Sequence, residues 1–134
     1  YFGGDMELRF DKGGGLLPVI IQDAGTSEVL MLGFMNPDAF EETRRTGEVV
    51  FFSRTRNRLW KKGEQSGHAL KLREMRIDCD SDAILLRVDA LGPGVCHEGY
   101  RSCFFRRFEA DGTTVIVEER KFDPARVYAQ ETNP

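Results

Sequence analysis

The sequence predicts a compact α+β fold, a single domain dominated by antiparallel strands. Three observations predict it. Apolar, β-branched runs recur at short intervals with turn residues between them. Only one stretch, Asn36 to Gly47, carries both a helix start and a helix stop. The length, 134 residues, suits one domain and is enough to bury a core without staples. Residues 1–134 are therefore read as one domain, with residues 1–5 as a disordered start or a cloning remnant.

Leu16 to Gln22 reads as a strand, and Pro18 near its start suggests a sheet edge. Asp23 to Ser27 is turn chemistry, so Val29 to Met35 closes a hairpin. Asn36 is an N-cap with Pro37 at the first helical position. Asp38, Glu41 and Glu42 suit the positive end of the dipole, Arg44 and Arg45 its negative end, and Gly47 stops the helix. Strands are expected over Glu48 to Ser53, Ala69 to Ile77 and Ala83 to Leu91. Gly92-Pro93-Gly94 breaks the chain before a loop from Cys96 to Cys103. Asp111-Gly112 predicts a hairpin between Cys103–Glu109 and Thr113–Lys121, and the tail after Pro124 frays or forms a short helix.

Composition narrows the function. A net charge of −3 argues against a dedicated nucleic-acid binder, which carries a basic face. Three cysteines are an odd set for a disulfide framework, which points to the reducing cytoplasm. No apolar run approaches the ~20 residues that span a bilayer, and the start lacks a signal-peptide pattern, so no membrane partner is expected.

The richest chemistry lies in Asp78-Cys79-Asp80-Ser81-Asp82, echoed by Cys96-His97 and Cys103. On a continuous strand Asp78, Asp80 and Asp82 share one face, with roughly 7 Å between successive residues. Three carboxylates there demand a cation, and oxygen ligands suit Mg²⁺. A solvated turn is the alternative. An EF-hand is excluded, because Ala83 and Asp89 stand where that loop needs Gly and Glu. Cys79, Cys96 and Cys103 offer three thiolates, which leaves one tetrahedral position of Zn²⁺ open, the catalytic pattern. Three unrelated core cysteines are the alternative. On the same strand Cys79 faces away from its Asp neighbours, so it is expected to reach a zinc held by Cys96 and Cys103 of a second subunit. His97 is the candidate general base, since three thiolates leave the zinc site at −1 and weaken its pull on water.

A basic arm precedes this segment. Arg54, Arg56 and Arg58 alternate, which puts them on one face of a strand. With Lys62 they suit phosphates, and Trp60 suits stacking on a base. Gly63, Ser66 and Gly67 offer a backbone able to present N–H groups to an anion, and His68 closes the arm as a substrate contact or a surface residue. The set suits a small nucleotide. A solvated basic hairpin, or a structural zinc module that binds nucleic acid or nucleotide without turnover, is the alternative. Zinc nucleobase deaminases are set aside, because His97 is followed directly by Glu98 and no C-x-x-C pair exists.

The runs Ser53 to His68, Asp78 to Asp82 and Cys96 to Phe104, with Leu30-Met31 through Asn36, resemble the phosphoribosyl-AMP cyclohydrolases of histidine biosynthesis. The departures are Thr55, Gln65 and Gly94-Val95, none of them at a ligand position. The resemblance implies hydrolytic opening of the adenine ring of 1-(5-phosphoribosyl)-AMP at N1–C6. It implies Zn²⁺ on Cys79, Cys96 and Cys103, and Mg²⁺ on Asp78, Asp80 and Asp82. It further implies a cytoplasmic homodimer with sites at the interface, and a fold distantly like a β-grasp.

Overall fold

The first hairpin sets the frame. Strand β1 (Leu17–Asp23) pairs antiparallel with β2 (Val29–Met35), and Ile20 faces Leu32 across the ladder. Its turn is held by Asp23, whose Oδ2 accepts from the N–H groups of Gly25 and Thr26. The protein is described by a computed structural model over residues 8–63 and 67–127.

Helix α1 (Pro37–Thr46) follows at once. Asn36 Oδ1 accepts from Ala39 N at 2.8 Å, and Gly47 ends the helix at φ 74°, a left-handed conformation that glycine adopts without a Cβ penalty. Thr43 is fully buried yet satisfied, because its Oγ1 donates to Ala39 O and accepts from Val50 N. Strands β3 (Val50–Ser53) and β4 (Arg58–Lys61) form a separate hairpin, and β5 (Leu70–Ile77) and β6 (Ile84–Ala90) return to the main sheet. Strands β7 (Arg106–Phe108) and β8 (Thr114–Ile116) make a third sheet, followed by the one-turn helix α2 (Pro124–Val127).

The main sheet has the order β2-β1-β6-β5. Two expectations change here. The central pair β1–β6 is parallel, although the other pairs are antiparallel. Strand β1 is also interior, not an edge. Pro18 is tolerated because pairing with β6 begins only at Val19, so Pro18 has a single strand neighbour.

One sheet face is the core. Leu17, Val19, Ile21, Met31, Met35, Ile84, Leu86 and Val88 are buried, and α1 with the β3–β4 hairpin covers them. Phe51 lies against Gly33 so closely that a Cβ there would stand 2.6 Å from the ring. The opposite face leaves Ile20 and Leu32 partly in solvent, and the β7–β8 region exposes Phe104, Phe108, Val115, Ile116 and Val117.

Candidate metal centre

Asp78 to Asp82 form the turn between β5 and β6, and no strand runs through them. The extended segment expected from residue alternation is overturned. Asp78 N donates to Ala83 O at 3.1 Å, Ser81 N donates to Asp78 O, and Ser81 takes φ 63°. Asp78 Oδ1 accepts from the N–H groups of Asp82 and Ala83 at 3.0 and 3.2 Å. These local bonds win because an extended path would aim three carboxylates at the apolar face. With the strand goes the premise that Cys79 points away from its Asp neighbours by parity.

The turn nevertheless gathers its charges. One oxygen from each of Asp78, Asp80 and Asp82 lies within 4.8 Å of the others, and among the described residues this is the only cluster of three metal-competent side chains. A cation already touches it. The Lys12 ammonium lies 3.1 Å from Asp80 and 2.8 Å from Asp82, reaching in from a 3-10 turn (Phe10–Gly13). Arg9 N donates to Ser81 O and fixes that segment to the turn. Nothing in the sequence marks Lys12, which is 68 residues away from Asp80. An all-oxygen cluster that already gathers a positive charge fits a hard divalent cation.

The cysteines separate. Cys103 N donates to Leu30 O at 2.7 Å, and buried Ser102 donates to Val29 O. Both bonds tie the loop to the start of β2. Cys96 is buried in a tight turn, with Gly99 N donating to Cys96 O and Glu98 N donating to its sulfur at 3.5 Å. Although Cys103 as a residue is exposed, burial of its thiol, with Cys96 beside it, pushes that thiol up to about 12, and the Lys62 charge pulls against the rise.

Cys79 lies at the other end of the sheet. It follows Ile77, which pairs with Ile84 beside Val19 and Gly33. The Cys103 anchor, Leu30, sits three residues along β2 from Gly33, beside the Gln22–Val29 pair. At about 3.3 Å per residue the two ends are roughly 10 Å apart along the strand direction, and three strand spacings of about 4.8 Å separate β2 from β5. One protomer therefore brings two thiols together and holds the third elsewhere. Two neighbouring soft donors have the chemistry that suits zinc.

The arm folds differently from the expected strand. Arg54 to Asn57 form the β3–β4 turn, closed by Asn57 N donating to Ser53 O with Asn57 at φ 53°, so only Arg58 of the three arginines is on a strand. Arg54, Arg56 and Arg58 are exposed, and the Arg54 guanidinium lies 3.9 Å over the Phe34 ring. Trp60 packs on Phe51 at 5.2 Å as part of the core rim. Lys62 is 9% exposed, and its ammonium donates to Val95 O at 2.5 Å rather than facing solvent. Gly67 N donates to Gly63 O, which uses that N–H inside the loop, and Gly63 sits against the backbone of His68 and Ala69. His68 is half-buried edge-on to Phe122, and burial, then the Lys62 charge, lower its pKa. His97 is exposed beside Cys96. Ser66 lies outside the described residues, as do residues 1–5.

Comparison with known proteins finds relatives along most of the chain. The family described as phosphoribosyl-AMP cyclohydrolase matches residues 31–105. The chain is 52% identical over 123 residues to the phosphoribosyl-AMP cyclohydrolase of Desulforapulum autotrophicum, covering 92% of this chain and 98% of that protein. It is 56% identical over 119 residues to that of Nitratidesulfovibrio vulgaris, covering 89% and 94%. To that of Solibacter usitatus it is 51% identical over 123 residues, covering 92% and 97%.

Proposed function

The chain belongs to the phosphoribosyl-AMP cyclohydrolase family, and from that premise we propose that it opens the adenine ring of 1-(5-phosphoribosyl)-AMP by hydrolysis of the N1–C6 bond, in histidine biosynthesis. Cys96 and Cys103 of one subunit and Cys79 of the other would hold Zn²⁺. Asp78, Asp80 and Asp82 would hold Mg²⁺. When bound, zinc supplies a Lewis acid that makes water a nucleophile at neutral pH.

The single observation that carries the two-chain site is the placement of Cys79 at the sheet end opposite the Cys96–Cys103 pair. The exposed apolar side chains of the β7–β8 region supply surface for a homodimer. The order β2-β1-β6-β5, with α1 after the first hairpin, supports the β-grasp likeness.

The remaining residues take simpler roles. Arg54, Arg56 and Arg58, exposed on and beside one turn, would bind the substrate's two phosphates, with forked donors that match phosphate oxygens. His97, next to a zinc ligand and open to solvent, would move protons between water and the leaving ring nitrogen. Gly63, Ser66, Gly67 and His68 would border the substrate, and Trp60 would offer it a ring edge. No helix among the described residues is long and apolar enough to cross a membrane; the reading places the enzyme in the cytoplasm.

The test is turnover of phosphoribosyl-AMP, followed by the ultraviolet change on ring opening. Activity with zinc and magnesium present, lost on chelation and restored by zinc, is expected. A folded protein without turnover in both metals would refute the activity.

A further inference from the structure

We propose that Arg101 is a positioning residue of the Cys96–Cys103 pair: its guanidinium fork clamps the loop that carries both thiols onto the turn between β1 and β2. The proposal rests on the zinc reading of those thiols and deepens it.

The loop is short and closed on itself. Val95 N donates to Arg101 O at 3.0 Å, Cys96 N to Tyr100 O at 3.1 Å, and Gly99 N to Cys96 O at 3.0 Å. Arg101 is thus the backbone partner of the residue before Cys96, and it stands two residues before Cys103. Its side chain leaves the loop altogether. Nε donates to Glu28 Oε1 at 2.6 Å, across 73 residues of sequence, and Nη2 lies 3.1 Å from Asp23 Oδ1. Both carboxylates belong to one tightly bonded turn. Asp23 N donates to Glu28 O at 2.8 Å across the mouth of the first hairpin. The other Asp23 oxygen, Oδ2, accepts from Gly25 N, Thr26 N and Thr26 Oγ1. The next two residues follow Arg101 onto the same hairpin, with Ser102 Oγ donating to Val29 O at 2.8 Å and Cys103 N to Leu30 O at 2.7 Å.

The physics gives the clamp a purpose. A loop that must be ordered as the metal arrives spends conformational entropy, and one held beforehand does not. Arg101 and its two carboxylates are all half-buried, so solvent screens them less than a surface pair. A planar guanidinium grips two carboxylates through separate N–H groups, where an ammonium offers one point charge. The contacts lie outside the thiol pair, so they act on how the donors are held and leave their chemistry unchanged.

The test measures zinc affinity by competition with a chromophoric chelator, together with the visible spectrum of the cobalt-substituted protein, whose sulfur-to-metal bands report thiolate geometry. Thermal melting of the metal-free proteins runs alongside. Arg101→Gln is expected to bind zinc about 10-fold more weakly or worse, as loss of an outer partner of a metal site does, and to alter the cobalt bands. Arg101→Lys, which keeps the charge and loses the fork, is expected to fall between. Glu28→Gln should weaken zinc in the same direction and add little in the Arg101→Gln background, because both changes remove one contact. Asn36→Ala, which removes the cap of α1, is the control: a lower melting temperature with unchanged zinc affinity and cobalt bands is expected. Unaltered zinc affinity and cobalt bands in a folded Arg101→Gln overturn the proposal. So does a loss of affinity in Asn36→Ala that matches the loss in Arg101→Gln, since the loss then tracks stability. If Arg101→Gln does not fold, Glu28→Gln decides: weaker zinc supports the clamp, and unaltered zinc or a failure to fold marks a purely structural arginine. If the unchanged protein takes up no zinc, the zinc reading falls and this proposal falls with it. If the unchanged protein binds zinc and the variants bind it equally, only this proposal falls.

Discussion

Lys12 and Glu48 show how single side chains set the electrostatics of the two halves. The Lys12 ammonium bridges Asp80 and Asp82 where a divalent ion is proposed to sit, so it competes for those oxygens. Asp80 is exposed and Asp82 is half-buried, and pairs open to solvent in this way are worth about 0.2–1 kcal/mol. Lys12→Met should therefore raise the apparent Mg²⁺ affinity by no more than a few-fold, read by calorimetric titration with magnesium. Glu48 is held between Lys61 and Lys71, which lower its carboxyl from 4.5 to about 2. Below pH 4.5 the unfolded Glu48 takes up a proton that the folded one refuses. Its contribution is thus complete above that pH and is lost as pH falls toward 2. Glu48→Gln should flatten the acid side of the stability profile in that window, and added salt should shrink the difference because the site is open to solvent.

At the scale of elements, local signals decide where local bonds decide. The helix α1 begins and ends where Asn36, Pro37 and Gly47 require, because a cap is a contact between near neighbours. Asn36→Ala should cost about 1 kcal/mol, measured as a lower urea midpoint with an unchanged slope. Alternation misled twice, and for one reason. Asp78 to Asp82 and Arg54 to Arg58 both alternate charged residues, but both close into hairpin turns. Ser81 and Asn57 accept positive φ, and Asp78 and Ser53 bond their own turn backbone. The period of two describes a strand only when a neighbouring strand offers a ladder to it. The short β4 went unseen because it sits inside a run of basic residues with little β-branching.

For the whole molecule, the proposed catalytic unit is two chains. Each protomer carries its thiol pair at one end of the main sheet and its Asp turn with Cys79 at the other. Cys79→Ser and Cys103→Ser proteins should each lack activity as homodimers. Mixed under exchange, they should regain part of it, because one of the two sites in a mixed dimer has every ligand. If mixing restores nothing although mixed dimers form, the sites are not shared. The exposed row of Phe104, Phe108, Val115, Ile116 and Val117 is the surface whose mutation to charged residues would be used to keep the chains apart.

The donor side chains were legible in the sequence, because sulfur and oxygen donors are properties of side chains and need no fold to be recognised. Helix α1, the hairpin order and the alternation of buried residues in β1 and β6 were legible for a similar reason: they arise from neighbours in the chain. Tertiary structure alone decided which groups meet. It made β1 interior and parallel to β6, placed Lys12 on the Asp turn, turned Lys62 inward to Val95, and put Cys79 at the far end of the sheet from its sister thiols. Each of these is a contact between residues distant in sequence, fixed by the packing of a whole sheet.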